Sequence, residues 1–148
     1  MLEPGEMIVA VRLPAEAARF AAHARYLKVR ERTSYAFAIV SAAAALRVDG
    51  DRITDARLAL GGVAMKPWRA REAEVILTGA RVDSALFHRA AEVALADAKP
   101  SGDNGFKIEL ARRIVVRALS LAAAGTPERM SALPASPFAT VSGDVIHA

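Results

Sequence analysis

The segment that decides the fold covers residues 35–60 and reads YAFAIVSAAAALRVDGDRITDARLAL. Its first half is ambiguous, because the four alanines at positions 42–45 favour a helix by propensity. Asp49-Gly50 is a hairpin signal, because Gly tolerates the positive φ that tight hairpin turns need. After this turn, small or apolar side chains alternate with other residues at a period of two: Thr54, Ala56, Leu58 and Leu60. We therefore predict two strands paired through Asp49-Gly50.

The flanking sequence predicts two more strands and three helices. Residues 6–13 alternate until Pro14 ends the pattern, and residues 23–30 have the apolar content of a second strand. Helices are predicted over residues 68–78, from an N-cap at Asp83, and from Asp103 or Asn104 to Gly125. Four strands followed by three helices predict an α+β fold, a two-layer sandwich with an antiparallel sheet covered on one face.

Side-chain patterns within the helices give further expectations. The last helix has an apolar stripe at steps of four and three: Phe106, Leu110, Ile114, Ala118 and Leu121. The carboxylates of Glu72, Glu74 and Glu109 stand at helix positions that we expect to be solvated. From residue 126 onward, Pro, Ser and Thr predict an irregular tail, so we assign residues 1–125 to one domain and 126–148 to the tail.

Composition excludes several kinds of site. The chain has 148 residues and no Cys, so disulfides and Cys-ligated iron–sulfur clusters are excluded from it. Its three His residues lack metal-ligand spacing, and we predict no metal site. No apolar run reaches the roughly 18 residues of a membrane span, and residues 1–6 do not form a signal peptide. We expect a cytoplasmic protein, or a periplasmic one if a partner carries the signal.

Charge raises the alternative of a nucleic-acid binder. The net charge is +4 and the pI about 10.0. However, the 20 basic residues are interleaved with 16 acidic ones, which is typical of a solvated surface. We therefore predict no nucleic-acid partner. Salt-dependent retention on DNA would support the alternative.

No catalytic constellation stands out, but three segments are unusual, and each has two interpretations. Cations alternate along residues 28–32 (KVRER), which either hold an anion such as a phosphate or a reduced flavin, or form a solvent-facing row. On periodicity alone the solvent-facing row is favoured. Gly61-Gly62 permits a close backbone approach to a ligand or a sharp bend. Trp68, beside Pro67, is either packed or an interface anchor.

These segments occur in one family in the same order. PGE at 4–6 with VRLP at 11–14 resembles the first strand of the C-terminal domain of molybdenum hydroxylase FAD-binding subunits. KVRERTSYAFA at 28–38 is similar to that domain's most characteristic stretch. DARLALGGVA at 55–64, followed by KPWRA at 66–70, resembles its second signature. NGFKIELARR at 104–113 and GTP at 125–127 also fit. The resemblance covers nearly the whole chain and is closest to the aldehyde and xanthine dehydrogenase type.

The resemblance implies a cofactor and partners. In this family a separate N-terminal domain holds the FAD pyrophosphate in Gly-rich loops, and the C-terminal domain closes over the flavin. A large subunit carries the molybdenum cofactor, and a small subunit carries two 2Fe–2S clusters that pass electrons to FAD. By resemblance, Lys28 approaches the flavin, and Phe37, Tyr35 and Arg30 are the other cofactor-binding candidates. A cation beside the ring stabilises the anionic reduced flavin.

The Gly-rich FAD loops are absent from these 148 residues. We therefore expect a truncated product or a fragment that is not catalytic alone, covers the flavin and docks to the partner subunits. The alternative is a structural or interaction module, or a remnant, that does not bind flavin.

Overall fold

The computed structural model describes residues 3–32 and 35–128, which form a four-stranded antiparallel sheet with helices on one face. The strands are β1 (Ala24–Val29), β2 (Val40–Asp49), β3 (Arg52–Gly61) and β4 (Trp68–Arg69), and they neighbour one another in chain order. A 3-10 segment, Ala15–His23, precedes them. The helices are α1 (Arg71–Leu77), α2 (Ser84–Ala94) and α3 (Phe106–Ala123). The predicted α+β two-layer sandwich is confirmed.

The alanine-rich segment is a strand, as predicted, because tertiary pairing outweighs its helix propensity. β2 is hydrogen-bonded to β1 on one edge and to β3 on the other. One side of β2 is fully buried: Val40, Ala42, Ala44 and Leu46. Gly50 takes the predicted positive φ, at +57°, but the two-residue turn is Gly50-Asp51 and not Asp49-Gly50, because Asp49 still pairs with Arg52. The hairpin formed by β2 and β3 is therefore the centre of the sheet.

The predicted alternation in β3 is wrong at its first position. The pairing shifts after Val48 and Ile53, so that Arg47 pairs with Asp55 and Thr54 has no partner. Such a bulge reverses the side on which the following residues lie. Ile53 is consequently buried with Ala56, whereas Thr54 is exposed.

Two further boundaries differ from the prediction. Residues 6–13 are exposed and belong to no strand in the described part of the chain, because no neighbouring segment pairs with them. The fourth strand is instead β4, where the helix of residues 68–78 was expected to begin. Trp68 and Arg69 pair with Leu60 and Ala59, so α1 cannot begin before Arg71.

The helical layer packs through small side chains. The predicted stripe of α3 is correct at Ile114 and Ala118 and wrong at Phe106, which is largely exposed at the first residue of the helix. The buried side is wider than the stripe, because α3 lies against both the sheet and α2. It consists of Ala111, Ile114, Val115, Ala118, Leu119 and Ala122. Asp83 does precede α2, but its side chain makes no capping hydrogen bond.

Candidate functional site

The face of the sheet opposite the helices carries the candidate site. Antiparallel register places Lys28 of β1 beside Ser41 of β2, and Ser41 beside Gly61 of β3. A Cβ atom at Gly61 would lie 2.6 Å from the Oγ atom of Ser41, so a larger residue there would require the Ser41 side chain to turn away. The strands therefore present Lys28 next to a floor of small residues.

Two basic side chains, one in β1 and one shortly after it, donate hydrogen bonds to backbone carbonyls of the loop between β1 and β2. The Nζ atom of Lys28 donates a hydrogen bond to the Ala36 carbonyl at 3.0 Å. Arg32 donates from both Nε, at 3.1 Å, and Nη2 to the Tyr35 carbonyl. The Ile39 amide donates to the Val29 carbonyl at 2.8 Å, which closes the base of the loop. Tyr35 adopts a φ of +48°, a conformation that costs energy for a bulky residue.

A cavity of about 620 Å³ opens between this loop and the sheet. It is lined by Tyr26, Lys28, Tyr35, Ala36, Phe37, Ala38 and Gly62. The side chains of Tyr35 and Phe37 are 97% and 100% exposed, respectively. An ammonium group and exposed aromatic rings beside one cavity form a surface on which a planar, electron-rich ligand could stack.

The structure brings together three of the four residues that the sequence singled out for a cofactor. Lys28, Tyr35 and Phe37 line this cavity, and Arg30 does not. The predicted row of cations along one face of a strand is wrong. β1 ends at Val29, and Arg32 donates a hydrogen bond to the Tyr35 carbonyl of the following loop. Sequence reasoning missed Tyr26 as a lining residue. Its position two residues before Lys28 on one strand, and so on the same face, was the available signal.

Gly62 also lines this cavity, and its backbone strongly favours glycine. Its φ is +74°, and a Cβ atom would lie 2.9 Å from the Ile39 carbonyl oxygen and 3.0 Å from that of Ala38. The close approach that Gly61-Gly62 allows is therefore made to the protein's own backbone. Lys107 of α3 also contacts Gly62, donating to its carbonyl oxygen at 3.3 Å. At this bend, the end of β3 lies in contact with the loop that carries Phe37.

A second cavity, of about 380 Å³, lies on the same face, and Tyr26 lines both cavities. Its floor includes Ala43 and Ala59, and its rim includes Arg57 and Arg69. The Arg57 guanidinium lies 5.2 Å from the ring centroid of Phe20, which is within cation–π range. This end of the face is therefore partly covered by the 3-10 segment.

Glu74 was expected to be solvated, and it is buried instead. Its carboxylate accepts hydrogen bonds from the Leu58 amide at 2.8 Å and from Nη2 of Arg69 at 2.9 Å, and it also pairs with Nε of Arg69. It supplies a partner to the edge of β3, because β4 ends after two residues. The hydrogen bond with Glu74 raises the pKa of the Arg69 guanidinium above its ordinary value, against the opposing effect of burial.

Trp68 packs within the chain, as one of its two interpretations predicts. Its Nε1 atom donates to the Ala94 carbonyl at 3.1 Å, and its ring packs partly buried against the core. Within the described residues, no three His, Cys, Asp or Glu side chains lie close enough to hold a metal ion. None of the helices described for this chain is long and apolar enough to cross a membrane.

Comparisons with known proteins agree with this geometry. The family model described as the CO dehydrogenase flavoprotein C-terminal domain matches residues 25–122. The aldehyde oxidoreductase FAD-binding subunit PaoB of Escherichia coli (strain K12) is 45% identical over 125 residues, which are 83% of this chain and 35% of PaoB. The chain thus spans about a third of the length of that relative.

Solved structures give the same result. Quinoline 2-oxidoreductase from Pseudomonas putida 86 is 31% identical, with a TM-score of 0.65 over 70% of this chain and 38% of that chain. Carbon monoxide dehydrogenase from Hydrogenophaga pseudoflava is 30% identical, with a TM-score of 0.65 over 70% and 37%. The region matched by the family model, residues 25–122, contains β2 to β4, α1 and α2 in full and all but one residue of β1 and of α3. This chain therefore belongs to the CO dehydrogenase flavoprotein C-terminal domain family, the C-terminal domain of FAD-binding subunits of molybdenum hydroxylases.

Proposed function

We propose that this chain forms one wall of the FAD site in a molybdenum hydroxylase and catalyses no reaction by itself. The observation that carries the proposal is the cavity in which Lys28, Tyr35 and Phe37 meet. FAD, when bound, supplies the redox chemistry. The residues of this chain would bind one side of the flavin ring and shield it from water.

The residues present fit a flavin ring. The cavity volume of about 620 Å³ lies within the range of small-molecule sites. Two exposed aromatic rings offer stacking surfaces. Lys28 has three donor hydrogens, and only one hydrogen bond, to Ala36, occupies them in the described structure. The remaining donors and the positive charge favour a ligand that gains negative charge on reduction.

The rest of the FAD site must come from another part of the subunit. Helix N-termini and Gly-rich loops are the usual devices for binding a pyrophosphate. Because the chain spans 35% of PaoB, we infer that the remaining two-thirds of such a subunit provide these devices. The affinity of this chain alone for FAD should accordingly be weak.

The partners proposed for this chain follow from its family. They are the FAD-binding domain, the large subunit with the molybdenum cofactor, and the small subunit with the 2Fe–2S clusters, from which electrons would reach FAD. Partners of this kind offer protein surfaces, and the exposed Phe37 and Tyr35 rings favour contact with such surfaces or with flavin. The cytoplasmic location remains a prediction. So does the domain division, since most of the predicted tail lies outside the described residues.

A flavin titration tests this proposal. The purified chain would be titrated with FAD alone and then with the part of PaoB that it does not match, supplied as a separate polypeptide. We expect flavin fluorescence to be quenched strongly only when both polypeptides are present, and we expect Lys28→Ala to weaken the quenching. Lys99→Ala is the matched control, because Lys99 lies outside this cavity. Absence of quenching in every mixture would leave the structural or interaction module as the better account.

A further inference from the structure

Lys107, in the first turn of α3, differs in burial from the other lysines of the chain. The sequence has four lysines, and Lys28, Lys66 and Lys99 are exposed, whereas Lys107 is half-buried. Lysine side chains commonly lie along apolar surface and keep the ammonium group at its margin. The ammonium group of Lys107 lies 3.3 Å from the carbonyl oxygen of Gly62. A side chain of the helical layer therefore reaches the bend at the end of β3.

A small cavity of about 80 Å³ lies beside this contact. Both Lys107 and Gly62 line it, together with apolar side chains that include Trp68 and Leu95. Leu95 belongs to the hydrophobic core, and Trp68 packs against that core, so the surface beside Lys107 is fixed. Packing of this kind limits the directions in which the flexible lysine stem can point. Gly62 also lines the cavity proposed for flavin and is therefore shared by the two cavities.

The backbone of Gly62 connects Lys107 to the loop that carries Phe37. A Cβ atom at Gly62 would lie 2.9 Å from the Ile39 carbonyl oxygen, so the two backbones are in contact. The Ile39 amide donates to the Val29 carbonyl at 2.8 Å and closes the base of the loop. Because glycine accepts many backbone conformations, a hydrogen bond to its carbonyl restricts the bend that its own side chain cannot restrict.

We propose that Lys107 is a positioning residue for the flavin, because it holds Gly62 against the base of the loop that carries Phe37. Lys28 holds the same loop at a second point, the Ala36 carbonyl. Lys107 is not among the residues that line the flavin cavity, so it would act through Gly62 and not by contact with the ring. The inference rests on the proposed function, since it concerns the same cavity.

Hydrogen exchange in the chain alone tests the contact without flavin. Lys107→Met keeps an unbranched side chain that favours a helix, but it removes the donor and the charge. We expect the Ile39 amide to exchange about three- to tenfold faster in this variant, which is the change that loss of one hydrogen bond allows. Lys107→Arg keeps a donor, so exchange should stay within about twofold of the wild type.

Flavin titration of the two-polypeptide complex tests the effect on the ligand. Lys107→Met should weaken FAD binding by about three- to tenfold, and Lys107→Arg should restore it to within about twofold of the wild type. The reduction potential of the bound flavin should stay at the wild-type value, because Lys107 does not line the flavin cavity. Lys99→Met is the matched control. Lys99 lines the same small cavity, and its replacement removes the same charge without loss of the hydrogen bond to Gly62.

The outcomes separate this inference from the proposed function. Unchanged exchange of the Ile39 amide in Lys107→Met would overturn the inference, even if FAD binding became weaker. Equal effects of Lys99→Met and Lys107→Met would also overturn it, since loss of charge alone would then explain both. A shifted reduction potential would overturn it in favour of a direct effect on the ring. Faster exchange in Lys107→Met, in a chain whose wild-type complex does not quench flavin, would support the role of Lys107 at Gly62 and contradict only the flavin site.

Discussion

The Nζ atom of Lys28 lies 3.0 Å from the carbonyl oxygen of Ala36, eight residues further along the chain. This hydrogen bond ties the predicted flavin-facing cation to the loop that carries Tyr35 and Phe37. Lys28 would therefore have two separable effects, one on the position of the loop and one on the electrostatic potential beside the flavin.

Replacement of Lys28 by Gln should separate these effects. The Gln amide can still donate to the Ala36 carbonyl, so we expect FAD affinity within about threefold of the wild type. Loss of the charge should lower the reduction potential of the bound flavin by about 30 mV, which equals about 1.4 kcal/mol for a two-electron couple. Potentiometric titration of the two-polypeptide complex measures this shift. An unchanged potential would show that Lys28 only positions the loop.

Arg30 provides a contrasting test of the predicted cofactor residues. It follows the end of β1 and does not line the cavity with Lys28. We therefore expect Arg30→Gln to change the FAD dissociation constant less than Lys28→Ala does, by no more than about twofold, because exposed charges at a distance are screened. The same fluorescence titration measures both variants. A larger effect for Arg30→Gln would mean that Arg30 reaches the flavin directly.

Replacement of Tyr35 should change stability and flavin binding in opposite directions. Tyr35 has a φ of +48° and is 97% exposed, so its ring contributes little to the core while its backbone is strained. Tyr35→Asn, which tolerates this conformation, should raise the free energy of unfolding by a few tenths to about 1 kcal/mol. It should weaken FAD binding, since one stacking surface is lost. Urea unfolding and flavin titration check the two parts, and a parallel loss of both would contradict the strain argument.

Gly62→Ala should be more destabilising than Gly50→Ala, although both residues have positive φ. A Cβ atom at Gly62 meets two carbonyl oxygens at 3.0 Å or less, whereas at Gly50 nothing lies within 4 Å. We expect the free energy of unfolding to fall by about 1 kcal/mol in Gly50→Ala, from the backbone conformation alone. In Gly62→Ala it should fall by about 2–4 kcal/mol. Urea unfolding of the two variants measures the difference. Equal losses would show that the loop yields without cost.

Glu74→Ala should destabilise the chain by about 2–4 kcal/mol. The substitution leaves the Leu58 amide without its acceptor and Arg69 without its carboxylate. Glu72 is exposed on the same helix, so Glu72→Ala should stay within about 0.5 kcal/mol of the wild type. Thermal and urea unfolding compare the two. A small loss at Glu74 would mean that water replaces both hydrogen bonds.

Local signals were reliable where one residue type has a strong conformational preference. Asp49-Gly50 predicts the hairpin to within one residue, because Gly accepts the positive φ that a tight turn needs, and the turn lies at Gly50-Asp51. Apolar residues at every second position, such as Leu58 and Leu60, likewise predict a half-buried strand from the local sequence. The candidate cofactor residues Lys28 and Phe37 came from the family resemblance, and the fold places them at one cavity.

Errors arose where the outcome depended on distant partners. Residues 6–13 have strand periodicity, but a strand needs a neighbour, and none is present among the described residues. Trp68 follows a proline, as helix starts often do, yet it pairs with Leu60 because the free edge of β3 is adjacent. The burial of Glu74 follows from the shortness of β4, which leaves the Leu58 amide to be satisfied by a side chain. No local pattern contains that information.

The sequence by itself determined the strand–turn–strand centre, the helical second half and the absence of thiol chemistry, because these follow from backbone preferences and residue types along a short stretch. Only the tertiary structure decided which residues share the open face of the sheet. Antiparallel register brings Lys28 beside Ser41, and the bend at Gly62 brings β3 against the loop of Phe37. These contacts join residues far apart in the chain, and their energies depend on three-dimensional packing.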